Sequence, residues 1–282
     1  MCFAQLVLIF AENPSDSLAK ELDILISKGS EDYEDISRMF EQIIIDYQAE
    51  RRWGKALSKA EEAMYLSLRW DNPLYQFKFL YLLGHTQFLA QSNDNLALNY
   101  LLQAEQIEPE GIDKKLKAEA YLLMSKIYVR LGDINEALKI QLQANDLCRL
   151  TQDTVMLTTG YQHLGNIYTS QGDYEKALKA NLRGLQLAIS SSIPLPEARL
   201  DLLSSTAGVY LKLREPEKAN RYLKSSIELA DSLKSDFGVA RYEQYKGEAL
   251  LMQGQIESAY IFLRSADKYF EANNYLNESA ST

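Results

Sequence analysis

A segment of about 40 residues recurs six times along this chain. The sequence QGDYEKA at 171–177 returns as LGDINEA at 131–137, as QGQIESA at 253–259 and, in degenerate form, as LREPEKA at 213–219. The final alanine of the segment marks six positions, which are Ala56, Ala97, Ala137, Ala177, Ala219 and Ala259. Their spacings are 41, 40, 40, 42 and 40 residues. A fixed period of this length is typical of a repeat array, in which each unit packs on its neighbours.

Composition indicates what each repeat is made of. The chain has only 13 Gly and 6 Pro in 282 residues, which is about half the ordinary use of these turn formers. Helix is therefore expected nearly throughout. A single core becomes strained at about 250 to 300 residues, so a helical chain of this length is either two domains or an elongated array. The period favours the array.

Each repeat is predicted to be a helical hairpin. Apolar residues at a spacing of three and four, such as Leu123, Ile127 and Leu131, mark the buried stripe of a first helix. Gly132 suits the left-handed end of that helix, and Asp133 suits the N-cap of the next one. The marker alanine lies one turn into the second helix, where a small side chain lets the two helices approach closely.

The sequence LGNIYTSQGDYEKA at 164–177 resembles the core of a tetratricopeptide repeat. The period of 40 to 42 exceeds the 34 residues usual in that family, so each helix is expected to be longer by nearly a turn. Longer repeats of this kind resemble those of kinesin light chains, of the Leu-Gly-Asn repeat polarity adaptors and of bacterial signalling proteins. Arg51 and Arg214 depart from the pattern because each stands where the family has its turn glycine.

The predicted fold is an all-α, right-handed α-solenoid of six antiparallel hairpins and a partial seventh. Residues 32–272 form the array, with repeats at about 32–72, 73–111, 112–151, 152–193, 194–234 and 235–272. An N-terminal helix and linker occupy 12–31, and residues 273–282 are expected to begin a further repeat. The positions assigned to turns and helix contacts are Gly84, Gly132, Ala137, Gly165, Tyr168, Gly172, Ala177, Tyr210, Ala219, Gly247, Gly254 and Ala259.

Residues 1–11 form an almost wholly apolar segment that ends abruptly before Glu12. Such a run is typical of the core of a secretory signal, although no basic residue precedes it and Ile9 is not small. Two alternatives stay open: an incomplete signal peptide, which implies an exported or periplasmic protein, or an apolar arm that packs on the first helices of a cytoplasmic one. The run is too short to span a bilayer, and no longer apolar stretch follows.

The net charge, the cysteines and the absence of catalytic motifs limit the classes of function that this chain can have. A net charge of −9 disfavours binding to nucleic acid or anionic lipid by this segment. Cys2 and Cys148 have no partner at disulfide or metal-ligand spacing, and Cys148 is expected to be a small buried helix residue. His85 and His163 lie two repeats apart, and no metal, phosphate-loop, dinucleotide or nucleophile-elbow motif occurs. No catalytic residue, metal or cofactor is therefore assigned.

The resemblance implies a partner site instead, since such arrays bind protein or peptide in a concave groove lined by first helices. The family's contact positions fall here on Lys78, Tyr81, His85, Glu119, Lys126, Arg130, Thr159, Gln162, Asn166, Ser204, Lys212, Arg241, Gln244 and Glu248. Asn166 is the strongest candidate, because an Asn amide donates and accepts at once and so suits a peptide bond. Only Asn166 matches the carboxylate clamp of the chaperone-tail adaptors, which disfavours a cochaperone role.

The predicted function is a non-enzymatic interaction module, the recognition part of a bacterial signalling or regulatory protein. Two alternatives remain: a peptide-sensing regulator whose superhelix pitch changes on ligand binding, and a cytoplasmic scaffold or adaptor. A scaffold would capture folded proteins, whereas a sensor would bind a short peptide and gain thermal stability.

Overall fold

The structure, a computed structural model, describes residues 13–29, 32–107 and 111–273. The apolar segment at 1–11 and the expected start of a further repeat at 274–282 lie outside these ranges. Thirteen α-helices and no strand occur in the described ranges. Among these helices, none combines the length and apolar character needed to cross a lipid bilayer. The prediction of an all-α array of helical hairpins is confirmed.

The chain divides into two compact units, one ending at Leu131 and the other starting at Gly132. The helices of the first unit are α1 (Pro14–Ser27), α2 (Tyr33–Ala49), α3 (Trp53–Arg69), α4 (Pro73–Leu89), α5 (Asp94–Ile107) and α6 (Lys114–Leu131). Those of the second are α7 (Ile134–Leu150), α8 (Thr154–Ser170), α9 (Tyr174–Ser190), α10 (Pro196–Lys212), α11 (Pro216–Leu233), α12 (Asp236–Met252) and α13 (Ile256–Ala272).

Within each unit the helices pack in chain order, and alternate helices pack again on one another. In the first unit α2 contacts α4 and α4 contacts α6, and in the second α8 contacts α10 and α10 contacts α12. These six are the first helices of the predicted hairpins. Their mutual contacts bring the polar residues of successive repeats to one surface within each unit.

The helix starts follow local chemistry. The Asp133 carboxylate accepts from the backbone N–H of Glu136, and the Asp173 carboxylate accepts from that of Lys176. Each carboxylate therefore satisfies one of the free N–H groups at the start of a second helix. Proline stands at the first position of α1, α4, α10 and α11, where its missing N–H costs nothing.

The turn that joins the two helices of a repeat uses the same backbone conformation whether or not glycine is present. Gly132, Gly172 and Gly254 have φ values of 84°, 76° and 76°. Arg51 and Arg214 adopt the same left-handed conformation, with φ of 56° and 59°. The departures from the family's turn glycine therefore leave the turn unchanged, and each costs the strain of a side chain in that region.

The marker alanines are fully buried: Ala56, Ala97, Ala137, Ala177, Ala219 and Ala259 are each 0% exposed. First-helix glycines meet the second helices. A Cβ on Gly84 would lie 2.9 Å from Leu101 Cγ, and one on Gly247 would lie 2.5 Å from Leu263 Cγ. At Gly84 and Gly247 the first helix therefore lies so close to the second that an added side chain would force a leucine to move.

The core of the first unit is apolar and aromatic, with Phe40 edge-on to Phe79 at 6.0 Å between ring centroids. In the second unit α8 is instead flanked by buried amides. A Cβ on Gly160 would overlap the Asn145 side chain of α7, and one on Gly165 would overlap that of Asn181 on α9. Neither polar atom of the Asn181 amide has a hydrogen-bond partner among the described residues. Cys148 is fully buried in α7.

Replacing Arg214 by Gly should stabilise the protein. The substitution removes the strain of a side chain on a left-handed backbone. We expect the free energy of unfolding to rise by about 0.5 to 1 kcal/mol, after the greater flexibility of the unfolded glycine variant is allowed for. Arg214→Ala is the matched control, because it removes the same exposed side chain and keeps the strained conformation. Urea midpoints compare the two, and a glycine variant no more stable than the alanine variant would refute the role of strain.

Gly165→Ala should destabilise the protein by about 1 to 3 kcal/mol, because its methyl group collides with the Asn181 amide. In an Asn181→Ala background the collision is removed, and the same change should become neutral or favourable, since Ala is the better helix former. Denaturant unfolding of the four proteins of this double-mutant cycle measures the coupling. Additive effects would show that the two residues do not meet.

Candidate functional site

Two polar surfaces line the first helices, one in each unit. The α2–α4–α6 face carries Glu41, Lys78, Tyr81, His85, Glu119 and Lys126. The α8–α10–α12 face carries Thr159, Gln162, Asn166, Asp201, Lys212, Arg241 and Glu248. On each face the residues come from three helices that contact one another in turn.

The α2–α4–α6 face begins with an ion pair between neighbouring first helices. Lys78 of α4 pairs with Glu41 of α2. Beside it is a cavity of about 330 Å³, whose lining includes Lys78, Asp113 and Glu119. Glu41 and Lys115 complete its charged lining, so the cavity has three carboxylates and two ammonium groups. Such a mixed lining suits a ligand that carries both donors and acceptors.

Tyr81 and His85 form one rigid element of this face. Their rings are stacked with centroids 5.7 Å apart and planes within 5°. Burial raises the pKa of Tyr81, and the nearby Glu119 carboxylate, which accepts a hydrogen bond from the phenol, raises it further. The Tyr81 hydroxyl therefore stays protonated and is held towards α6.

His85 is half-buried and faces a cation. Burial lowers the pKa of the His85 imidazole, and the charge of Lys126 on α6 lowers it further. Desolvation by the surrounding protein also lowers the pKa of the Lys126 ammonium group. At neutral pH this part of the face therefore presents a neutral imidazole beside a cation.

The α8–α10–α12 face contains a line of paired polar groups. Gln162 Nε2 of α8 donates to Asp201 Oδ2 of α10 at 3.2 Å. Arg241 Nη1 of α12 lies 3.9 Å from Asp201 Oδ1, and its guanidinium lies 4.8 Å from the Phe237 ring centroid. Asp201 thus links three successive first helices.

Asn166 lies one turn further along α8 and is exposed. Its side-chain amide makes no hydrogen bond within the described part of the chain. The Thr159 hydroxyl, by contrast, donates to the Val155 carbonyl of its own helix at 3.3 Å. The Asn166 amide is therefore free to donate and to accept at the same place.

Lys212 and Glu248 form the far end of this face. Burial raises the pKa of the half-buried Glu248 carboxyl, and the exposed Lys212 ammonium opposes that rise. The two residues lie on adjacent first helices, so this carboxylate depends on the neighbouring repeat for its charge compensation.

Three predicted contact residues are corrected by the structure. Ser204 is 1% exposed and its hydroxyl lies 2.8 Å from that of Ser226, so it packs inside its hairpin. Gln244 is 5% exposed, so a bound partner protein cannot reach its amide. Arg130 donates from Nε to Asp94 Oδ2 at 2.7 Å, and its guanidinium covers the Phe88 ring at 4.0 Å. Each is occupied by packing with other helices.

Glu41 and Asp201 are residues of these two faces that the sequence did not single out. The repeat period could have identified both residues, because each stands one period before a predicted contact residue. Glu41 stands 40 residues before Tyr81, and Asp201 stands 40 residues before Arg241. Carboxylates are abundant on helical surfaces, and only the contacts between helices distinguish these two. Tyr168 and Tyr210 hold equivalent positions in their repeats, and a lysine covers each ring: Lys176 lies over the Tyr168 ring and Lys218 over the Tyr210 ring, each at 5.6 Å.

No group of three His, Cys, Asp or Glu side chains is placed to hold a metal ion in the ranges that the structure describes. The faces instead offer amides, hydroxyls and paired charges. These groups suit recognition by hydrogen bonds and ion pairs.

Comparison with known proteins supports the resemblance seen in the sequence. Residues 118–149 and 158–188 match the tetratricopeptide repeat, which confirms the resemblance seen at residues 164–177. Comparison with curated proteins gives no match.

Several solved structures share the fold. BtubC (BKLC) from P. vanneervenii superposes with a TM-score of 0.70 at 15% identity, over 79% of this chain and 94% of that one. The apo form of RapI gives 0.70 at 14% identity, over 87% and 94%. A Rap protein complexed with Competence and Sporulation Factor gives 0.61 at 14% identity, over 98% and 87%. At these identities the likeness concerns the fold.

Stability should depend on pH through His85. Because the folded state lowers the His85 pKa, the unfolded chain binds its proton more readily, and stability should fall as the pH drops below about 6.5. His85→Asn should lose less stability between pH 7.5 and pH 5 than the wild type does. Urea midpoints at the two pH values measure this, and equal losses would contradict a depressed His85 pKa. His163 is present in both proteins, so its contribution to the pH dependence of stability cancels in the comparison.

Proposed function

We propose that this chain of tetratricopeptide repeats binds a peptide segment of a partner protein on the α8–α10–α12 face. Repeats of this family form protein-interaction modules, generally without catalysis. The observation that carries the proposal is the free, exposed Asn166 amide beside the polar line that joins Gln162, Asp201 and Arg241.

The chemistry of this face suits an extended backbone. A peptide bond presents one donor and one acceptor, and the Asn166 amide can satisfy both at once. Gln162 and Asp201 offer a second amide and a carboxylate nearby, so a bound chain could be held at two successive points. Because Asp201 already accepts from Gln162 and faces Arg241, the arrangement is built before a partner arrives, which lowers the ordering cost of binding.

The charges favour a protein partner over nucleic acid. The chain carries a net charge of −9, and phosphate backbones are bound chiefly through clustered cations. On this face Arg241 faces Asp201, and Lys212 lies opposite Glu248. A partner with both donors and acceptors fits this mixture best.

A sensing role is the second candidate, as the recognition part of a bacterial signalling or regulatory protein. Gln162 and Asp201 join α8 to α10, so a ligand that takes over either group would remove a link between successive repeats. A fold neighbour, the Rap protein, is known in complex with Competence and Sporulation Factor. In this role ligand binding would change the packing of α8 against α10, whereas a passive scaffold would leave it unchanged.

The test begins with peptides selected on the wild-type protein from a random phage-displayed library. The double variant Asn166→Ala, Gln162→Ala should weaken binding of the selected peptides about tenfold or more, because two hydrogen-bonding side chains are lost. Its thermal midpoint should stay close to that of the wild type, since Asn166 makes no internal side-chain bond and the loss of Gln162 removes a single partly exposed hydrogen bond, to Asp201. Fluorescence anisotropy with synthetic peptides gives the affinities.

Gln143→Ala provides the control, because it removes an exposed amide from α7, away from the face. It should leave the affinities unchanged. If the double variant binds the peptides as well as the control does, the α8–α10–α12 face is not the site. If the double variant unfolds at a much lower temperature, these side chains are structural.

A further inference from the structure

A second site candidate lies elsewhere on the surface of the second unit. A depression of about 630 Å³ opens between α8 and α9, with Tyr161, Leu164 and Tyr168 on one side and Lys176, Lys179 and Arg183 on the other. Pockets that hold small ligands or anchoring side chains are usually of about 300 to 1,000 Å³. The volume is therefore sufficient for more than a single ion.

This depression is on a different side of α8 from the proposed peptide face. Successive helix residues turn by about 100°, so Tyr161, Leu164 and Tyr168 point about 100° to 160° away from Gln162 and Asn166. A ligand in the depression would therefore not compete for the groups of the α8–α10–α12 face. The two sites can be tested separately.

The charge of the depression is opposite to that of the whole chain. Lys176, Lys179 and Arg183 recur at spacings of three and four, so they form one stripe along α9. Lys176 pairs with Asp173 at 2.7 Å. Within the described part of the chain neither Lys179 nor Arg183 forms an ion pair, and Arg183 donates only to Gln186, at 2.8 Å. Two uncompensated cations thus face the opening in a protein of net charge −9.

The floor of the depression is apolar and aromatic. Leu164 and Ala180 are buried beneath it, at 4% and 7% exposure, and the rings of Tyr161 and Tyr168 flank them. Arg149 of α7 is outside this lining; it pairs with Asp146 and donates from Nη2 to the Tyr161 hydroxyl at 3.4 Å. Aromatic rings offer flat apolar area, and the cations of α9 beside them attract carboxylates. The ligand should therefore combine acidic groups with an aromatic or large apolar one.

We propose that this depression binds an acidic peptide segment in which carboxylate side chains stand next to an aromatic residue. The aromatic ring would pack on the floor between Tyr161 and Tyr168, and the carboxylates would pair with Lys179 and Arg183. The site would give the protein a second recognition surface, independent of the first. A nucleic acid is disfavoured, because the cationic stripe is short and the rest of the chain is acidic.

The probe is a hexapeptide, Glu-Glu-Phe-Phe-Glu-Glu, blocked at both ends and followed by isothermal titration calorimetry. The wild type should bind it, and the matched Gln-Gln-Phe-Phe-Gln-Gln peptide should bind about tenfold or more weakly. Binding should also weaken as salt is raised, since exposed charges are screened. Equal affinity for the two peptides, or no binding of either at millimolar concentration, would overturn the proposal.

Charge reversal localises the site. Lys179→Glu, Arg183→Glu should abolish binding, and Lys179→Met, Arg183→Met should weaken it by a smaller factor, about tenfold. The matched control, Arg221→Glu, Lys224→Glu, makes the same change of net charge at two exposed residues of α11 and should leave the affinity within about twofold of the wild type. If the control loses binding equally, the effect is one of overall charge and the proposed site is wrong.

Two further measurements distinguish binding in the depression from misfolding of the variants and from binding on the α8–α10–α12 face. Far-UV circular dichroism should be the same for all the charge variants, because every side chain that they replace is exposed. Asn166→Ala, Gln162→Ala should bind the acidic hexapeptide as the wild type does. If that variant loses the hexapeptide, the probe binds the α8–α10–α12 face and the second site is refuted, whatever the outcome for the first.

Discussion

The close contact between paired helices is the interaction on which the rest of the structure depends. A fully buried alanine in each second helix marks it, and at Gly84, Gly165 and Gly247 the first helix has no side chain to keep the pair apart. Because the contact recurs about every 40 residues, the hairpins within each unit repeat the same arrangement. The first helices of neighbouring repeats then meet within each unit, and their polar residues fall side by side. Recognition surfaces are thus a consequence of helix packing.

Much of this architecture could be predicted from the sequence, because the residues that build it act locally. Gly132, Gly172 and Gly254 mark turns by their conformational freedom, and Asp133 and Asp173 cap helices through their own side chains. The residue type does not reveal the turns at Arg51 and Arg214, since arginine has no preference for a left-handed backbone. Only their position in the repeat period identifies them as turn residues.

The candidate site was less predictable, because it depends on contacts between helices. Family positions identified Asn166 and Gln162, yet the same register placed Ser204 and Gln244 on the surface, although their neighbours bury them. Asp201 and Glu41 became visible only through their partners on adjacent helices. The cationic depression beside α9 has no counterpart in the family's contact positions, and it stands out because its charge opposes that of the chain. Two sides of α8 therefore offer different chemistry: the free Asn166 amide on one, and uncompensated cations of α9 beside aromatic rings on the other.

In the proposed function, the Asn166 amide on the α8–α10–α12 face recognises the peptide backbone. The most direct measurement is the two-dimensional NMR spectrum of the side-chain amides during titration with a peptide selected on the protein. The Asn166 and Gln162 amide signals should shift to saturation, while those of Asn145 and Asn181, buried against the glycines of α8, stay in place. A peptide that binds at the same affinity without moving the Asn166 signal would contradict the proposed function.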